Sequence, residues 1–417
     1  MSFKKVSVIG LGYIGLPTAA VIASRGVEVV GVDVNQHAVD TINNGDIHIV
    51  EPDLDIIVRG VVSTGNLRAT TKPEAADAFM VAVPTPFKHS DDGSHEPNLD
   101  YIKAASEAIA PVLEKGNLVI LESTSPVGAT EKMADWLAAA RPDLTFPQQK
   151  GETADIQIAH CPERVLPGYV LQELVSNDRV IGGMSNTCSE RAVELYKTFV
   201  RGDCIITNAR TAEMAKLTEN SFRDVNIAFA NELSLICDKL KINVWELIKL
   251  ANRHPRVNIL SPGPGVGGHC IAVDPWFIVN SCPEEARLIR TAREVNDDKP
   301  FRVIDKVVSA ADEFKNPVIA CLGLAFKADI DDLRESPALQ IVEALSERGA
   351  GTILAVEPNI DELPVTLCQE QVELVSLNHA LERASVVVIL VDHTEFKVID
   401  RSVLFSKVII DTRGIAC

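Results

Sequence analysis

The sequence has few positive charges for its size and no long apolar segment. Its 417 residues include 40 Lys and Arg against 58 Asp and Glu, a formal net charge of −18. Such an acidic surface repels a phosphate backbone, so nucleic acid is not an expected partner, although local cations can still bind a small anion. The longest apolar runs, such as residues 386–391, are far shorter than the ~20 residues that cross a membrane. Residues 1–5 lead into a short strand rather than a signal peptide, so we expect no membrane insertion.

Cysteine pairs with metal-binding or redox spacing are missing. The sequence has nine Cys, an odd number, and no Cys-x-x-Cys motif. This argues against a disulfide framework and against a structural zinc site, so no metal is expected. Hydrophobic residues make up 46% and charged residues 24% of the chain, a normal globular composition that excludes general disorder. We therefore expect a cytoplasmic globular protein of two or three domains.

Short apolar runs alternate with helical segments at both ends of the chain. In the first third, strands are predicted at residues 6–9, 29–32, 79–83, 118–122 and 156–160. After residue 317 the alternation returns, with strands predicted at residues 318–323, 352–356, 386–391 and 408–410. Strands that are separated by helices form parallel sheets with helices on both faces. Two Rossmann-like sheets are therefore predicted, the second smaller than the first.

The middle of the chain has a helical pattern instead. Residues 211–240 contain no Gly or Pro and keep apolar residues at helical spacing, which predicts one unusually long helix. Further helices are predicted at 244–251 and 283–312, with a loop rich in Gly and Pro between them. The predicted fold is α/β, with two doubly wound Rossmann-like domains, 1–205 and 316–417, joined by an all-helical central domain, 206–315. Its long spine helix is expected to form the contact of a homodimer.

A glycine motif follows the first predicted strand. Gly10, Gly12 and Gly15 match G-x-G-x-x-G at the start of a helix, where glycines let the backbone approach a pyrophosphate on the helix N-terminus. Asp33 ends the second strand about 20 residues later, where a carboxylate binds the ribose 2′-hydroxyl. Asp33 would also repel a 2′-phosphate, so NAD is favoured over NADP. The alternative interpretation is a tight turn that binds nothing.

Threonines follow two further strands of the first predicted sheet. Thr85 lies after the third strand, and Thr124 and Thr130 lie after the fourth. Ligands of open α/β sheets bind at this carboxyl edge, so all three are candidate contacts. For each threonine taken alone, loop or capping chemistry is the better explanation, because Thr130 is placed to cap a helix.

Cys270 stands in the most informative segment, residues 263–274. It follows a run of glycines and is predicted to begin a helix, whose N-terminus favours its thiolate. Asp274, four residues on, would then share a helix face with Cys270. The alternative is a small buried cysteine, which is the fate expected for the other eight.

Several polar groups could complete a site around this cysteine. Lys216, Asn220 and Arg223 form one stripe on the predicted long helix, although most such stripes are solvated faces. Glu163 and Arg164 follow a strand of the first sheet, and residues 253–258 form a basic loop. In the second predicted sheet, the residues after the first and last strands include Phe326, Lys327, Arg334 and Arg413.

These segments resemble the UDP-glucose/GDP-mannose dehydrogenase family, and the resemblance covers essentially the whole chain. It is clearest in residues 218–226 (TENSFRDVN), 252–258 (NRHPRVN) and 267–275 (GGHCIAVDP). The resemblance implies an N-terminal NAD domain, a helical dimerising spine and a C-terminal domain that holds the UDP of a UDP-sugar substrate. It also implies oxidation of an alcohol to an acid in two hydride transfers, for the synthesis of bacterial surface polysaccharide precursors.

The resemblance implies a role for each candidate residue. Cys270 would carry the intermediate covalently, and Lys216 would act as base with a water near Thr124 and Asp274. Glu163 is the candidate base for thioester hydrolysis, and Asn220 would stabilise oxyanions together with Lys216. The expected cofactor contacts are Gly10, Gly12, Tyr13, Ile14, Gly15, Asp33, Thr85, Thr124, Thr130 and Arg334. The expected substrate contacts are Arg164, Val165, Lys216, Asn220, Arg223, His254, Arg256, Gly267, Phe326, Lys327 and Arg413.

Three alternatives stay open at this point. Within the family, the basic loop resembles that of enzymes acting on UDP-N-acetyl-D-mannosamine, and UDP-N-acetylglucosamine and UDP-glucose are the other candidate substrates. A two-electron NAD dehydrogenase, such as a 3-hydroxyacid enzyme, would share the glycine turn and a catalytic lysine but would need no cysteine. A nucleotide-binding protein without catalysis is the third class. Cys270 in its glycine-rich context argues against the last two.

Overall fold

The computed structural model describes residues 3–88, 95–166, 168–268, 270–368 and 371–416. They divide between two compact units, Met1–Thr218 and Glu219–Cys417. Each unit contains one β-sheet with helices packed on it, and a helical segment joins the two sheets along the chain. The predicted fold class is confirmed. The three-domain division at residues 205 and 315 stays a prediction.

The first unit is built on a doubly wound sheet. Within the described residues its strands are β1 Lys5–Ile9, β2 Glu28–Val32, β3 Leu67–Thr70, β4 Ala78–Val81, β5 Leu118–Leu121, β6 Gln157–His160, β7 Arg179–Gly183 and β8 Cys204–Asn208. Their order is β3-β2-β1-β4-β5-β6-β7-β8. The helices are α1 Gly15–Ser24, α2 Gln36–Asn43, α3 Leu54–Ser63, α4 Asp100–Ile109, α5 Ala129–Ala140, α6 Pro147–Lys150, α7 Val170–Ser176 and α8 Asn186–Tyr196. Apolar clusters cover both faces of this sheet, which explains the continuous apolar runs of its central strands.

Two expectations about this sheet were wrong. It is not wholly parallel, because β6 and β7 pair antiparallel. The sequence analysis also missed β3, β7 and β8. Strand β8 contains residues on both sides of the predicted boundary at residue 205. These three strands lie at or toward the sheet edges and carry polar or glycine residues in place of a continuous apolar run. Their pairing is decided by neighbouring strands rather than by a local pattern.

The second unit combines helices with a five-stranded sheet of its own. Within the described residues the strands are β9 Val318–Leu322, β10 Thr352–Val356, β11 Val372–Leu374, β12 Val386–Ile389 and β13 Val408–Asp411, in the parallel order β11-β10-β9-β12-β13. The helices from the middle of the chain onward are α9 Ala209–Leu240, α10 Val244–Ala251, α11 Asp274–Ser281, α12 Arg287–Ala311, α13 Pro337–Glu347, α14 Leu377–Arg383 and α15 Arg401–Leu404. Strand β11 was missed because it is only three residues long and one of them is exposed.

The long helix predicted from the missing Gly and Pro residues is α9, and local chemistry explains its bounds. It begins after Asn208, whose side chain accepts from the Thr211 amide at 2.9 Å. It ends at Leu240, because Lys241 takes the left-handed backbone conformation with φ +56°. Across the described part of the chain, no helix is long and apolar enough to cross a membrane.

Both sheets have the strand order that creates a ligand crevice. In the first sheet β1 lies between β2 and β4, and in the second β9 lies between β10 and β12. In such sheets the loops after these strands separate to opposite faces, which opens a crevice at the carboxyl edge. The residues that follow β1, β4 and β5 in the first unit, and β9 in the second, are therefore placed at ligand-binding edges.

Buried polar groups connect the helices of the second unit. Arg293 of α12 donates to Asp224 of α9 at 2.6 Å, and both side chains are at most 1% exposed. Asn296 donates to the same carboxylate at 2.8 Å and accepts from Asn231 at 2.9 Å. Asn231 in turn accepts from the Gly263 amide at 2.8 Å. This chain of bonds sets the register between α9, α12 and the glycine-rich loop.

Replacing Arg293 with Met should destabilise the second unit by about 3–5 kcal/mol, because Asp224 would stay buried without its cation. The control is Arg302→Met, which removes an exposed ion pair with Asp298 and should cost about 1 kcal/mol or less. Equilibrium denaturation in urea, followed by circular dichroism, measures both. Equal losses in the two variants would contradict a structural role for the buried pair.

Candidate active site

The glycine turn after β1 has the geometry of a phosphate-binding turn. Gly10 has φ +90°, and a Cβ there would lie 2.6 Å from the Ala82 carbonyl oxygen. A Cβ on Gly15 would lie 1.7 Å from the Gly10 carbonyl oxygen, whereas one on Gly12 would meet nothing within 4 Å. Gly10 and Gly15 therefore permit close packing of turn, helix and strand, and Gly12 leaves open space in front of the turn. This arrangement fits a dinucleotide pyrophosphate.

Asp33 stands beside this turn. Its carboxylate accepts from the Leu11 amide and from the Asn35 amide, each at 2.9 Å. Ile14, at the N-cap position of α1, forms no side-chain cap, so the first-turn amides can meet an anion. Tyr13 is half-buried and packs against the core. The residues of the turn thus fit NAD, and the contact of Asp33 with the ribose stays a prediction.

The loops after β4 and β5 are joined to each other. The Ser123 hydroxyl donates to the Val83 carbonyl oxygen at 2.6 Å, which holds the loop of Thr124 against the loop of Thr85. The Thr85 hydroxyl oxygen is buried and has no hydrogen-bond partner among the described residues. A buried hydroxyl without a partner is costly, so a bound ligand would satisfy it.

Thr130 lies at the N-terminus of α5 and contacts a residue that the sequence analysis missed. Its hydroxyl donates to Glu213 at 2.6 Å, and its amide donates to the same carboxylate oxygen at 2.8 Å. The Gly128 amide donates to the other oxygen at 2.6 Å. Burial raises the pKa of Glu213, and these three donors oppose the rise. Glu213 precedes Lys216 by three residues, a spacing that places it on the same face of α9 and could have indicated it.

The segment after β6 carries Glu163, Arg164 and Val165. Glu163 is buried and forms an ion pair with the buried Arg179, another residue that the sequence analysis did not single out. The Arg164 amide donates to Glu163 at 2.6 Å, and its guanidinium donates to the Asp178 carbonyl oxygen. Val165 packs against the apolar core. Glu163 is thus held in place by its neighbours.

Cys270 is exposed and lies in a turn, so the expectation that it begins a helix was wrong. Helix α11 begins four residues later, at Asp274, because Pro275 has no amide hydrogen and fits the first helical turn. The Asp274 amide donates to the Cys270 carbonyl oxygen at 2.9 Å. The Asp274 carboxylate accepts from the Asn220 side chain at 2.5 Å. Two of the predicted partners of Cys270 are therefore bonded to each other.

The expectation that the other eight cysteines are buried is only partly confirmed. Four of the described ones are buried and one is half-buried, but Cys282 and Cys368 are exposed, because both follow the end of a helix at the surface. Cys417 lies outside the described residues.

The glycine-rich loop brings several predicted substrate residues together. A Cβ on Gly263 would lie 2.9 Å from the Arg413 guanidinium. On Gly267 it would lie 2.9 Å from Phe326 Cβ and 2.4 Å from the Glu335 carbonyl oxygen. Glycine at these positions therefore allows the loop to pack directly on residues after β9 and β13. Arg413 is oriented by Asp392, to which its Nε donates at 2.8 Å.

Other predicted residues do not converge in this way. Lys216 is buried on α9, and Lys327 is half-buried after β9. Arg334 is exposed and donates to both oxygens of Asp332, at 2.8 and 2.6 Å. Arg223, His254 and Arg256 are exposed. Their roles stay predictions, as do the individual roles of all the site residues.

The fold and the glycine turn define a dinucleotide-binding α/β protein. The comparisons with known proteins show the family to which it belongs. Family models match the NAD-binding domain at residues 4–200, the central domain at 210–298 and the UDP-binding domain at 320–416. The chain belongs to the UDP-glucose/GDP-mannose dehydrogenase family. It is therefore an NAD-dependent oxidoreductase.

Three relatives illustrate the similarity. The NDP-N-acetyl-D-galactosaminuronic acid dehydrogenase of Ralstonia nicotianae is 67% identical over 99% of this chain and 96% of its own. The UDP-N-acetyl-D-mannosamine dehydrogenase of Campylobacter jejuni is 68% identical over 94% of this chain and 96% of its own. The solved structure of the UDP-D-ManNAc dehydrogenase of Pyrococcus horikoshii is 41% identical in sequence and has a TM-score of 0.87. The match covers 99% of this chain and 96% of that one.

Replacing Asp33 with Ala should raise the KM for NAD about tenfold or more, because the ribose and the Leu11 amide both lose a charged acceptor. Asp33→Asn separates charge from hydrogen bonding, since the amide can still accept from Leu11. If the charge rejects NADP, both variants should accept NADP better than the wild type does. Initial rates with each cofactor measure this, and equal use of NAD and NADP by the wild type would contradict it.

Proposed function

We propose that the protein oxidises UDP-N-acetyl-D-mannosamine at C6 to UDP-N-acetyl-D-mannosaminuronate, with the loss of four electrons. The observation that carries the proposal is the exposed Cys270, which lies in a turn four residues before Asp274, whose carboxylate accepts from Asn220. A simple alcohol dehydrogenase has no use for a nucleophile there. The names of the Campylobacter and Pyrococcus relatives support the sugar.

The first oxidation needs a base. NAD would supply the hydride acceptor when bound, one NAD molecule for each of the two oxidation steps. We assign Lys216, which is buried on α9, to take the proton of the C6 hydroxyl, with a water held near Thr124 and Asp274. The product of the step is an aldehyde.

The second oxidation needs a covalent trap. The Cys270 thiolate adds to the aldehyde carbon, and the resulting thiohemiacetal cannot diffuse away. Loss of the second hydride converts it to a thioester. Asn220, which Asp274 orients, and Lys216 donate to the oxyanions that develop. A water activated by Glu163 then hydrolyses the thioester and releases the acid.

We also propose the ligand contacts that the family resemblance implies. The turn at Gly10, Gly12 and Gly15 would receive the NAD pyrophosphate, and Asp33 the ribose. Arg413 and Lys327 would supply positive charge to the UDP diphosphate, which the acidic surface otherwise repels. The remaining proposed contacts are, for the cofactor, Tyr13, Ile14, Thr85, Thr130 and Arg334 and, for the substrate, Arg164, Val165, Arg223, His254, Arg256, Gly267 and Phe326.

A second candidate substrate follows from the Ralstonia relative. Its identity of 67% over 414 residues matches that of the Campylobacter relative, yet its name gives an N-acetylgalactosaminuronic acid product. The two sugars differ in the orientation of hydroxyl and acetamido groups, which a polar site can distinguish by about 10⁴-fold when groups are left unpaired. The same chemistry would serve both.

We also propose that two copies of the chain associate through α9. Phe222, Phe229 and Ile236 are spaced by seven residues and are 70%, 53% and 43% exposed. A seven-residue apolar repeat forms one stripe on a helix and matches a second copy of the same helix. The cytoplasm is the proposed location, since an odd number of Cys without a Cys-x-x-Cys motif argues against the disulfide framework of a secreted protein.

Each molecule of the right UDP-sugar should yield two NADH and a uronic acid, with no aldehyde released. NADH absorbance is followed against known amounts of UDP-N-acetyl-D-mannosamine, UDP-N-acetylgalactosamine, UDP-N-acetylglucosamine and UDP-glucose. UDP-N-acetyl-D-mannosamine should react fastest. One NADH per sugar would refute the four-electron mechanism, and a faster reaction with another sugar would refute only the substrate.

The control for this experiment is Cys270→Ala, which should abolish acid formation and leave the fold and NAD binding intact. Cys282→Ala, which removes another exposed cysteine, should keep normal turnover. Near-normal turnover of Cys270→Ala would require the thioester mechanism to be abandoned.

Replacing Phe229 with Glu should shift the protein from dimer to monomer, because a dimer would bury two carboxylates in an apolar stripe. Phe405→Glu is the matched control, since Phe405 is 87% exposed and lies outside α9. Analytical ultracentrifugation measures the mass of each. A wild-type monomer, or an unchanged dimer in Phe229→Glu, would contradict this interface.

A further inference from the structure

Four polar side chains lie together in the core of the first unit, and only Glu163 has a role so far. Glu122, Glu163, Arg179 and Tyr196 are each at most 5% exposed. Glu122 follows β5, Glu163 follows β6, Arg179 begins β7 and Tyr196 ends α8. Neighbouring strands of the sheet thus bring two carboxyl groups, a guanidinium and a phenol into one buried cluster.

Glu163 is held at both oxygens of its carboxylate. Arg179 Nη1 donates to Oε2, and the Arg164 amide donates to Oε1 at 2.6 Å. Arg179 is itself fixed, because Nη2 donates to the Leu174 carbonyl oxygen at 2.8 Å and the guanidinium lies 5.7 Å from the Tyr196 ring centre. Desolvation offsets most of the attraction within a buried ion pair. The pair therefore fixes the orientation of the Glu163 carboxylate more than it adds to the free energy of unfolding.

Glu122 brings a second carboxyl group to the cluster. Its Oε1 accepts from the Tyr196 hydroxyl at 2.7 Å, and its Oε2 is buried without a hydrogen-bond partner among the described residues. Burial, together with the nearby charge of Glu163, raises the pKa of Glu122 to about 7. Burial also raises the pKa values of Tyr196 and Cys161, which keeps both protonated near neutral pH. The charge of Glu122 therefore changes near neutral pH.

We propose that Arg179 and Glu122 are positioning residues for Glu163, Arg179 by fixing the orientation of its carboxylate and Glu122 by setting its basicity. The proposal rests on the proposed function, in which Glu163 acts in thioester hydrolysis.

In thioester hydrolysis the water oxygen bonds to the thioester carbonyl carbon, and one water proton passes to Glu163. The C–S bond breaks and Cys270 leaves as thiolate. Glu163 and the newly formed acid then each release a proton to solvent.

The charge of Glu122 matters because the cluster is buried. When Glu163 takes a proton, Arg179 loses its counter-charge in a medium of low dielectric constant. An ionised Glu122 supplies that negative charge, which makes protonation of Glu163 more favourable. Glu163 is therefore a stronger base when Glu122 is ionised, and hydrolysis should accelerate as the pH rises through the pKa of Glu122.

Single-turnover kinetics of Arg179→Lys test the orientation. Lysine keeps the charge but lacks the two separate nitrogens with which Arg179 bonds Glu163 and Leu174, so acid release should slow about tenfold or more. NADH absorbance should show both hydride transfers within about twofold of wild type, and mass spectrometry after acid quench should find a thioester on Cys270. The control is Arg141→Lys, which changes a half-buried arginine that also bonds a carboxylate and two carbonyl oxygens. It should accumulate no thioester.

The pH dependence of Glu122→Gln tests the basicity, and it remains informative if Arg179→Lys folds poorly. Glutamine can still accept from Tyr196 but cannot ionise. The wild-type hydrolysis rate should rise through pH about 7, and this rise should be absent in Glu122→Gln. A retained rise in that variant, or equal slowing of all steps in Arg179→Lys, would overturn the proposal.

Glu163→Gln separates this proposal from the function on which it rests. If Glu163→Gln accumulates thioester and Arg179→Lys does not, only the positioning role is rejected. If Glu163→Gln accumulates none, the role of Glu163 itself is rejected, and the positioning role with it.

Discussion

A carboxylate that accepts a backbone amide from the first β–α turn organises both units of this protein. In the first unit, Asp33 accepts from Leu11 at 2.9 Å. In the second, Glu357 accepts from Leu324 at 2.8 Å, in the equivalent position after β10. This bond fixes the turn against the second strand, so the crevice at the sheet edge keeps its shape with or without a ligand.

The two turns differ in what else their carboxylates do. Asp33 is half-buried and stands beside open space at Gly12, so it can still bind a ribose. Glu357 is buried, and its carboxylate is also contacted by the side chain of His393 at 3.0 Å. Its acceptor capacity is used within the protein. One architecture thus provides a dinucleotide site in the first unit and, in the second, a scaffold for the loop residues Phe326 and Arg413.

Some of the buried polar pairs lie where residues with proposed roles must hold one orientation. Asn220 and Asp274 are bonded to each other, and Glu163 is paired with Arg179. Each arrangement costs desolvation free energy that an apolar pair would avoid. A catalytic group needs its productive geometry before substrate arrives, because reorganisation during the reaction would raise the barrier. The surrounding apolar clusters supply the stability that these polar pairs do not.

The sequence alone determined the features that rest on local physics. Glycine spacing predicted the turn at Gly10, apolar runs predicted the central strands, and the lack of Gly and Pro predicted α9. Only the tertiary structure decided the antiparallel pairing of β6 with β7 and the bonds of Glu213 and Arg179. Those features depend on residues that are distant along the chain and adjacent in space, and a local pattern carries no information about such neighbours.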